Sequence, residues 1–382
     1  MIKILVVDDE PDVKSLFLQK FRRKIHEKEW AFEFCYNGEE ALKMLDEQDD
    51  IDLVLSDINM PKMDGLTLLE EIKSTNPNIK AIIISAYGDM QNIRTAMNRG
   101  AFDFITKPID FEDVEMTLNK TIQYTKVLKQ ALEDQNKLFS LNKELEVARK
   151  IQKSILPPPL SPSSKCSLFA QMIPAKAVGG DYYDFFLVDD HRMGFVIADV
   201  SGKGISSALF AVVNQTLLKS VAPYASSPKK CLQSVNTVCS KNNDNCMFAT
   251  VFYGILDLTR GHVVYTNAGH NPPYKVTPSG KVQALSTTND IPVGVDGETK
   301  FDEKTIQLKP GEFLVLYTDG VTEANNREKE EFGEKRLMEV LSQSANRPIQ
   351  KVGESLLKSV KKFAEETQQY DDITCVLLKY ED

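Results

Sequence analysis

The sequence predicts an α/β protein in which a doubly wound parallel sheet is joined by a long helix to a domain of packed antiparallel sheets. Three observations lead there. Short, near-continuous apolar runs alternate with amphipathic stretches over the first 122 residues. No Gly or Pro then occurs between about Asp113 and Leu156, where charged and amide residues alternate with spaced Leu, Val and Ile. Beyond that helix, strand-like segments outnumber helical ones.

The first part reads as Ile2 to Val7, Val13 to Ile25, Ala31 to Cys35, Glu39 to Leu45, Ile51 to Ser56, Leu66 to Ile72, Ile79 to Ser85, Asn92 to Met97, Phe102 to Thr106 and Phe111 to Ile122. Apolar strands separated by helical patterns mean a parallel sheet covered on both faces. In such sheets the site forms beyond the carboxyl ends of the strands. Those ends carry Asp8 and Asp9, Asp57, Ser85, and Lys107-Pro108, with Met60-Pro61 and Gly65 in the loop after Asp57. Each alone has a bland reading as a helix cap or a turn; together they do not. This part resembles the receiver domain of two-component response regulators, over about Met1 to Ile122, and so implies a flavodoxin-like fold. The resemblance makes Asp57 the phosphoacceptor, a carboxylate nucleophile that forms an acyl phosphate. Asp8 or, more directly, Asp9 would hold Mg²⁺ with Asp57 and the backbone carbonyl of Asn59. Lys107 would place a point charge on the phosphoryl oxygens, Ser85 would hydrogen-bond the phosphate, and Phe104 would be the aromatic that moves between exposed and buried positions.

Leu138, Leu141, Leu145, Ala148, Gln152 and Ile155 follow a three-four spacing, the signature of a coiled-coil seam, and Leu118, Ile122, Thr125, Leu128 and Leu132 fit a similar seam less cleanly. The helix is expected to grow out of the last receiver helix and run about 60 Å at 1.5 Å per residue. One apolar stripe on so long a helix needs a partner; a parallel homodimer is expected in preference to a helix folded back on its own domains. Pro157-Pro158-Pro159 ends it, and Ser161 to Ser167 is a polar spacer.

In the last part Leu168 to Ile173, Tyr183 to Leu187, Gly194 to Ala198, Ala249 to Leu256, His262 to Asn267, Tyr274 to Val276, Thr305 to Leu308, Phe313 to Thr318 and Ile373 to Leu378 are strand-like. Ile205 to Val221, Lys229 to Ser240, Glu334 to Gln343 and Pro348 to Glu366 are helix-like. Asp181 and Asp184 sit beside Gly179-Gly180, and Asp199 ends a strand where Gly202 and Gly204 let backbone come close to a ligand. Asp319-Gly320 follows an apolar strand and Asp371-Asp372 precedes one. Carboxylates with no interleaved His or Cys favour Mg²⁺ or Mn²⁺ over zinc.

Gly-Gly-Asp-Tyr-Tyr-Asp-Phe, Asp-Val-Ser-Gly-Lys-Gly, Phe248-Ala-Thr-Val-Phe-Tyr-Gly, Thr266-Asn-Ala-Gly-His-Asn-Pro-Pro, Leu-Tyr-Thr-Asp-Gly-Val-Thr-Glu-Ala and Asp-Asp-Ile-Thr occur in this order. Over about Pro174 to Lys379 the chain thereby resembles the metal-dependent protein phosphatases, in the bacterial protein phosphatase 2C-like branch that acts on phosphoserine in regulators of sigma factors. The resemblance implies an αββα sandwich with two Mn²⁺ or Mg²⁺ ions. Asp199 would bridge them, helped by the carbonyl of Val200, with Asp181 on one ion and Asp319 plus Asp371 on the other; Asp184 and Asp372 are second choices. Hydrolysis would use a metal-activated water with no covalent enzyme intermediate. Lys203 would hold the phosphoryl group or be solvated. His270 would serve as general acid or brace the Pro-Pro turn, and His26, His191 and His262 read as surface positions. The resemblance also makes the helix a signal-carrying element.

Length and charge narrow the function classes. At 382 residues two or three domains are expected: a receiver over 1–122, a helical linker over 123–164 and a phosphatase over 165–382. Lys+Arg 46 against Asp+Glu 55, a net charge of −9, argues against nucleic acid. No long apolar run or leader marks a membrane or secreted protein, and six scattered cysteines read as reduced packing residues, so a cytoplasmic protein is expected. The reading is a response regulator with a serine/threonine phosphatase output. Its partners would be a histidine kinase or phosphotransfer protein, a phosphoserine substrate of the anti-sigma antagonist type, and a second copy of the chain. Two rival readings are a dimeric scaffold with a catalytically dead phosphatase fold, and a hydrolase of small phosphoesters.

Overall fold

The computed structural model describes residues 1–86, 89–157, 165–241, 243–288, 290–365 and 367–381. They form two compact units, Met1–Ser140 and Leu141–Asp382.

The first unit runs β1 (Ile2–Val7), α1 (Pro11–Lys20), α2 (Arg22–His26), β2 (Trp30–Cys35), α3 (Gly38–Glu47), β3 (Leu53–Asp57), α4 (Gly65–Thr75), β4 (Lys80–Ala86), α5 (Met90–Arg99), β5 (Asp103–Lys107) and the start of α6 (Phe111–Ile155). The five strands are parallel in the order β2-β1-β3-β4-β5. Alternate strand residues feed two cores, which is why the strands read as continuous apolar runs. Leu5, Val7, Val54 and Ile83 pack against α3 and α4, whereas Ile4, Val6, Leu55 and Ile84 pack against Phe17 of α1 and against Val114, Leu118 and Ile122 of α6. The helix expected over Val13 to Ile25 is two, broken at Phe21, whose ring stacks on Phe32 with centroids 5.5 Å apart.

α6 is a single helix of 45 residues. Leu118 and Ile122, expected on a seam, are 0% and 7% exposed in the receiver core and are therefore not free to pair with another helix. Farther along, Leu138, Leu141, Val147 and Ile151 are exposed. The spacer expected at Ser161 to Ser167 lies, as far as residue 164, outside the described residues, as does Glu366 at the end of the last expected helix.

The second unit continues with β6 (Cys166–Ile173), β7 (Tyr182–Leu187), β8 (Arg192–Val200), α7 (Ile205–Val221), α8 (Pro228–Lys241), β9 (Ala249–Asp257), β10 (His262–Ala268), β11 (Tyr274–Val276), β12 (Val282–Ala284), β13 (Lys304–Gln307), β14 (Phe313–Tyr317), α9 (Asp319–Thr322), α10 (Gly333–Ser344), α11 (Ile349–Ala364) and β15 (Ile373–Tyr380). Two antiparallel five-stranded sheets, β13-β10-β9-β8-β7 and β12-β11-β14-β15-β6, face each other. Phe195, Ile197, Phe252 and Tyr265 meet Leu314, Leu316, Val376 and Leu378 between them. On the outside, Val196 and Ala198 pack against Ala211, Leu218, Leu232 and Val235 of α7 and α8. Val315, Tyr317 and Leu377 pack against Leu337, Leu341, Val352 and Leu356 of α10 and α11. The result is the expected αββα sandwich. β12, a short edge strand with two exposed residues of three, carries no periodicity and was not expected. The segment Ile205–Tyr224 has the length and apolarity of a membrane span by composition, yet Ala208, Ala211 and Leu218 bury it against the sheet.

Candidate functional site

Each unit gathers acids at one edge of a sheet. In the first, Asp8 follows β1 and Asp57 ends β3; with Asp9 they bring one carboxylate oxygen each within 4.8 Å of one another. Asp8 and Asp57 are buried and Asp9 is exposed. Burial pushes both the Asp8 and the Asp57 carboxyl up, against the pull of Lys107. Lys107 Nζ, at the end of β5, lies 3.4 Å from Asp8 Oδ2, 3.4 Å from Asp57 Oδ1 and 3.3 Å from Glu10 Oε1. Glu10 is the member sequence reasoning missed, although it continues the Asp8-Asp9 run.

The Ser85 hydroxyl, on β4 beside Asp57, is buried and has no hydrogen-bond partner among the described residues. An orphaned buried hydroxyl costs free energy unless a ligand oxygen meets it. Asn59 is exposed on the loop after β3, and Phe104 of β5 is 36% exposed. Gly65 follows Asp64, whose side chain caps α4 by accepting from Thr67 N at 2.7 Å. A Cβ on Gly65 would lie 2.1 Å from the Asp57 carbonyl, so only glycine lets α4 start this close to Asp57. Three hard oxygen donors around one point, with a single lysine, fit Mg²⁺.

In the second unit Asp181 precedes β7, Asp199 lies near the end of β8, Asp319 opens α9 just after β14, and Asp371 stands before β15. Antiparallel pairing of β7 with β8 and of β14 with β15 brings these four strand ends to one side of the sandwich. Asp199 is pushed up to about 7, first by burial and then by the charges of Asp319 and Asp371. Asp181 is raised by burial and by Asp199, and Asp319 by burial and by Asp371. Packed carboxylates with so little compensating charge are a site that calls for cations. Oxygen donors alone fit Mn²⁺ or Mg²⁺. The Val200 carbonyl faces Gly180, where a Cβ would come within 3.0 Å of it.

Two threonines that sequence reasoning passed over orient Asp181. Thr318 Oγ1 donates to Asp181 Oδ2 at 2.8 Å and Thr374 Oγ1 donates to the same oxygen at 2.5 Å. Both belong to acidic motifs already singled out, Tyr-Thr-Asp-Gly and Asp-Asp-Ile-Thr, and that adjacency was the available signal. Asp372, placed among the metal residues from sequence, turns the other way. Its Oδ1 accepts from Ala175 N at 2.7 Å and its Oδ2 from Gly180 N at 2.6 Å, so it braces the loop that carries Asp181. Asp184 does not join the acids: it is buried against α7, with Gln215 Nε2 at 3.0 Å and Lys219 Nζ at 3.2 Å.

Lys203 is neither free nor simply solvated. Its Nζ lies 2.8 Å from Asp371 Oδ2, donates to the Tyr370 carbonyl at 2.7 Å and sits over the Tyr370 ring. His270 is buried beneath β9 and β10, with Thr250 Oγ1 at 2.8 Å from Nδ1 and Asn267 bonded to its backbone. Burial lowers its pKa to about 4, so near neutral pH it is the neutral imidazole rather than the acidic cation, and the bracing role is the one its surroundings support. His26, His191 and His262 are exposed.

The acids make stability depend on pH in a defined direction. Asp199 has a folded pKa of about 7 against an ordinary 3.8. The folded state therefore holds the proton more tightly, and the stability this gives is present below about 4 and lost as pH rises through about 7. Without divalent cations, the second unit is expected to melt several degrees lower at pH 8 than at pH 5.5, with Mn²⁺ raising its melting temperature most at pH 8 and Asp199→Asn flattening the dependence. Scanning calorimetry showing a melting temperature that climbs over this window would contradict the assignment.

Comparison with known proteins places both units. The family model for stage II sporulation protein E (SpoIIE) matches residues 189–381, half of the chain, and the response regulator receiver domain model matches residues 4–119. Protein IcfG of Synechocystis is 32% identical over 61% of this chain and 41% of its own length. The phosphoserine phosphatase RsbU of Bacillus subtilis is 27% identical over 63% of this chain and 70% of its own, and the phosphoserine phosphatase RsbP of the same organism is 28% identical over 63% and 59%. The chain thus spans less than two thirds of IcfG and of RsbP. The SiaA-PP2C domain of Pseudomonas aeruginosa superposes with a TM-score of 0.58 at 21% identity, over 64% of this chain and 98% of that one, a likeness of fold. The RsbU and RsbW domains of Rv1364c from Mycobacterium tuberculosis superpose with a TM-score of 0.50 at 26% identity, over 57% and 60%. The acids gathered at the strand ends, the αββα layers and the family match converge: this chain belongs to the SpoIIE family, with a PP2C-type phosphatase domain behind an N-terminal response regulator receiver domain.

Proposed function

We propose that this protein is a two-component response regulator in which aspartyl phosphorylation controls a Mn²⁺- or Mg²⁺-dependent protein serine/threonine phosphatase. The observation that carries the reading is the packing of Asp181, Asp199, Asp319 and Asp371 at one sandwich end with Asp199 pushed up to about 7. A scaffold would have no reason to keep so costly a cluster. The bound ions would neutralise charge on the phosphoryl oxygens and lower the pKa of water. Asp181, Asp199, Asp319, Asp371 and the Val200 carbonyl hold them, and Thr318 and Thr374 keep Asp181 in one orientation. Water replaces the serine oxygen on phosphorus, leaving a free hydroxyl and inorganic phosphate. The substrate proposed is a phosphoserine on a small anti-sigma factor antagonist, in keeping with the phosphoserine phosphatase activity named for RsbU and RsbP.

At the receiver, an Asp57 oxygen bonds to phosphorus as the phosphorus–nitrogen bond of a phosphohistidine breaks. The donor is a histidine kinase or phosphotransfer protein. Asp8, Asp9 and the Asn59 carbonyl would hold Mg²⁺ with Asp57, while Lys107 and the Ser85 hydroxyl, without a partner among the described residues, would receive the phosphoryl oxygens. We take the receiver as 1–122, the helical linker as 123–164 and the catalytic domain as 165–382. Two chains pair in parallel along the α6 seam of Leu138, Leu141, Leu145 and Ala148, of which Leu138 and Leu141 are exposed. The compartment is the cytoplasm, where the cysteine thiols stay reduced.

Full-length protein with Mn²⁺ is expected to release phosphate from a phosphoserine protein at least tenfold faster, per kcat/KM, than from para-nitrophenyl phosphate, with both rates lost in Asp199→Ala. Equal turnover of the two substrates would favour a small-ester hydrolase, and an unchanged Asp199→Ala rate would remove the metal assignment. Light scattering during size exclusion is expected to give a dimer mass, and a monomer with or without receiver phosphorylation would rule out the pairing.

A further inference from the structure

The acids at the sandwich end adjoin a cleft that phosphoryl chemistry alone leaves unused. The cleft has a volume of about 1130 Å³ and is lined by Gly320 and Asp371 of the catalytic end, by residues of the segment Asn325 to Glu331, and by the last turns of α11. Clefts that take a drug-sized ligand hold about 300–1,000 Å³. This one has room for more than a small phosphoester.

Its walls are tied in place. The segment Asn325 to Glu331 is a hairpin, in which Asn325 bridges Glu331, Asn326 N–H donates to the Glu330 carbonyl at 3.0 Å, and Lys329 takes a left-handed backbone at φ +63°. Opposite it, Gln369 Nε2 donates to the Ile173 carbonyl at 2.8 Å and to the Asp371 carbonyl at 2.7 Å, which fastens the approach to β15 onto the end of β6. A Cβ on Gly320 would lie 2.0 Å from the Asp372 carbonyl, so α9 starts hard against the same approach. A preformed cleft costs little ordering entropy when it is filled.

The lining divides by chemistry. Ile173, Leu357, Val360 and Ala364 give it an apolar side. Glu323 feels the charges of Asp319, Glu331 and Asp371, so the two glutamates stand with the acid cluster, where bound cations would offset them. Arg327 is met by Glu365 at 4.0 Å, while Lys329 of the hairpin and Lys361 of α11 are exposed cations on the cleft. Apolar lining supplies affinity, and exposed charges contribute mainly selectivity. A polypeptide with an apolar and an acidic side chain beside its phosphoserine complements both, whereas a small phosphoester has nothing to place there.

We infer that the cleft between the Asn325–Glu331 hairpin and α11 receives the stretch of substrate polypeptide beside the phosphoserine, selecting an apolar side chain on Leu357 and Ala364 and an acidic one at Lys329 and Lys361. The inference rests on the proposed phosphatase reading and names what that site selects in its substrate.

The test uses the full chain with Mn²⁺ and synthetic peptides in which the phosphoserine is flanked on both sides by leucine and glutamate. In two counterparts the glutamates become lysines or the leucines become alanines. The parent protein is expected to favour the first peptide about tenfold in kcat/KM over either counterpart. The double variant Lys329→Glu, Lys361→Glu should reverse the preference for glutamate over lysine, and Ala364→Trp, which fills the apolar side, should abolish that for leucine over alanine. Lys358→Glu, on the same helix but outside the cleft, is expected to keep the parent's preferences. Equal turnover of the three peptides by the parent, turnover of para-nitrophenyl phosphate with no peptide hydrolysed, or preferences that survive in both cleft variants would overturn the inference. Mn²⁺-dependent turnover of peptides without preference would leave the phosphatase reading standing, and a parent protein inactive on every phosphoester would overturn both.

Discussion

Everything in the catalytic unit depends on one electrostatic constraint: buried and half-buried carboxylates held near one another with too little positive charge around them. Asp199 sits between the fields of Asp319 and Asp371, and Asp181 adds a further acid that hydrogen-bonds to it. Such a cluster persists only where a stiff frame prevents the acids from drawing apart. The two sheets are that frame. Their strands carry large side chains into three separate cores, so the strands are fixed by packing on both faces.

The two acid sites solve the same problem differently. In the receiver a lysine is part of the arrangement, with Lys107 reaching Asp8, Glu10 and Asp57 at once. A cation already in place leaves room for one more, and for the three oxygens of a phosphoryl group that the Ser85 hydroxyl could meet. In the phosphatase unit Lys203 pairs with Asp371. The neutral hydroxyls of Thr318 and Thr374 donate to Asp181. That difference in fixed charge matches the proposed difference in cargo, one ion against two.

Sequence alone carried much of this. The β/α alternation could mean only a covered parallel sheet, and the Asp-bearing motifs fell at strand ends because turns there need Asp and Gly. What stayed hidden was direction. Asp184 and Asp181 stand three residues apart in one motif, yet one pairs with Lys219 and the other faces the acids, a choice made by tertiary partners. Asp372 adjoins Asp371 and spends its oxygens on the backbone of Ala175 and Gly180. Thr318 and Thr374 look like ordinary strand residues until β14 and β15 pair. Leu118 and Ile122 share the spacing of a seam but are claimed by the receiver core, because helical periodicity says which face is apolar and not what covers it.

Coupling of the two chemistries requires that receiver phosphorylation favour one state through contacts that differ between states. The direct measurement is the Mn²⁺-dependent dephosphorylation rate of a phosphoserine protein with and without beryllofluoride, an acyl-phosphate mimic, in the full chain and in Asp57→Ala. The account predicts a rate that beryllofluoride changes severalfold in the full chain and leaves unchanged in Asp57→Ala. A rate indifferent to beryllofluoride in the full chain would mean two working domains without communication, and would contradict it.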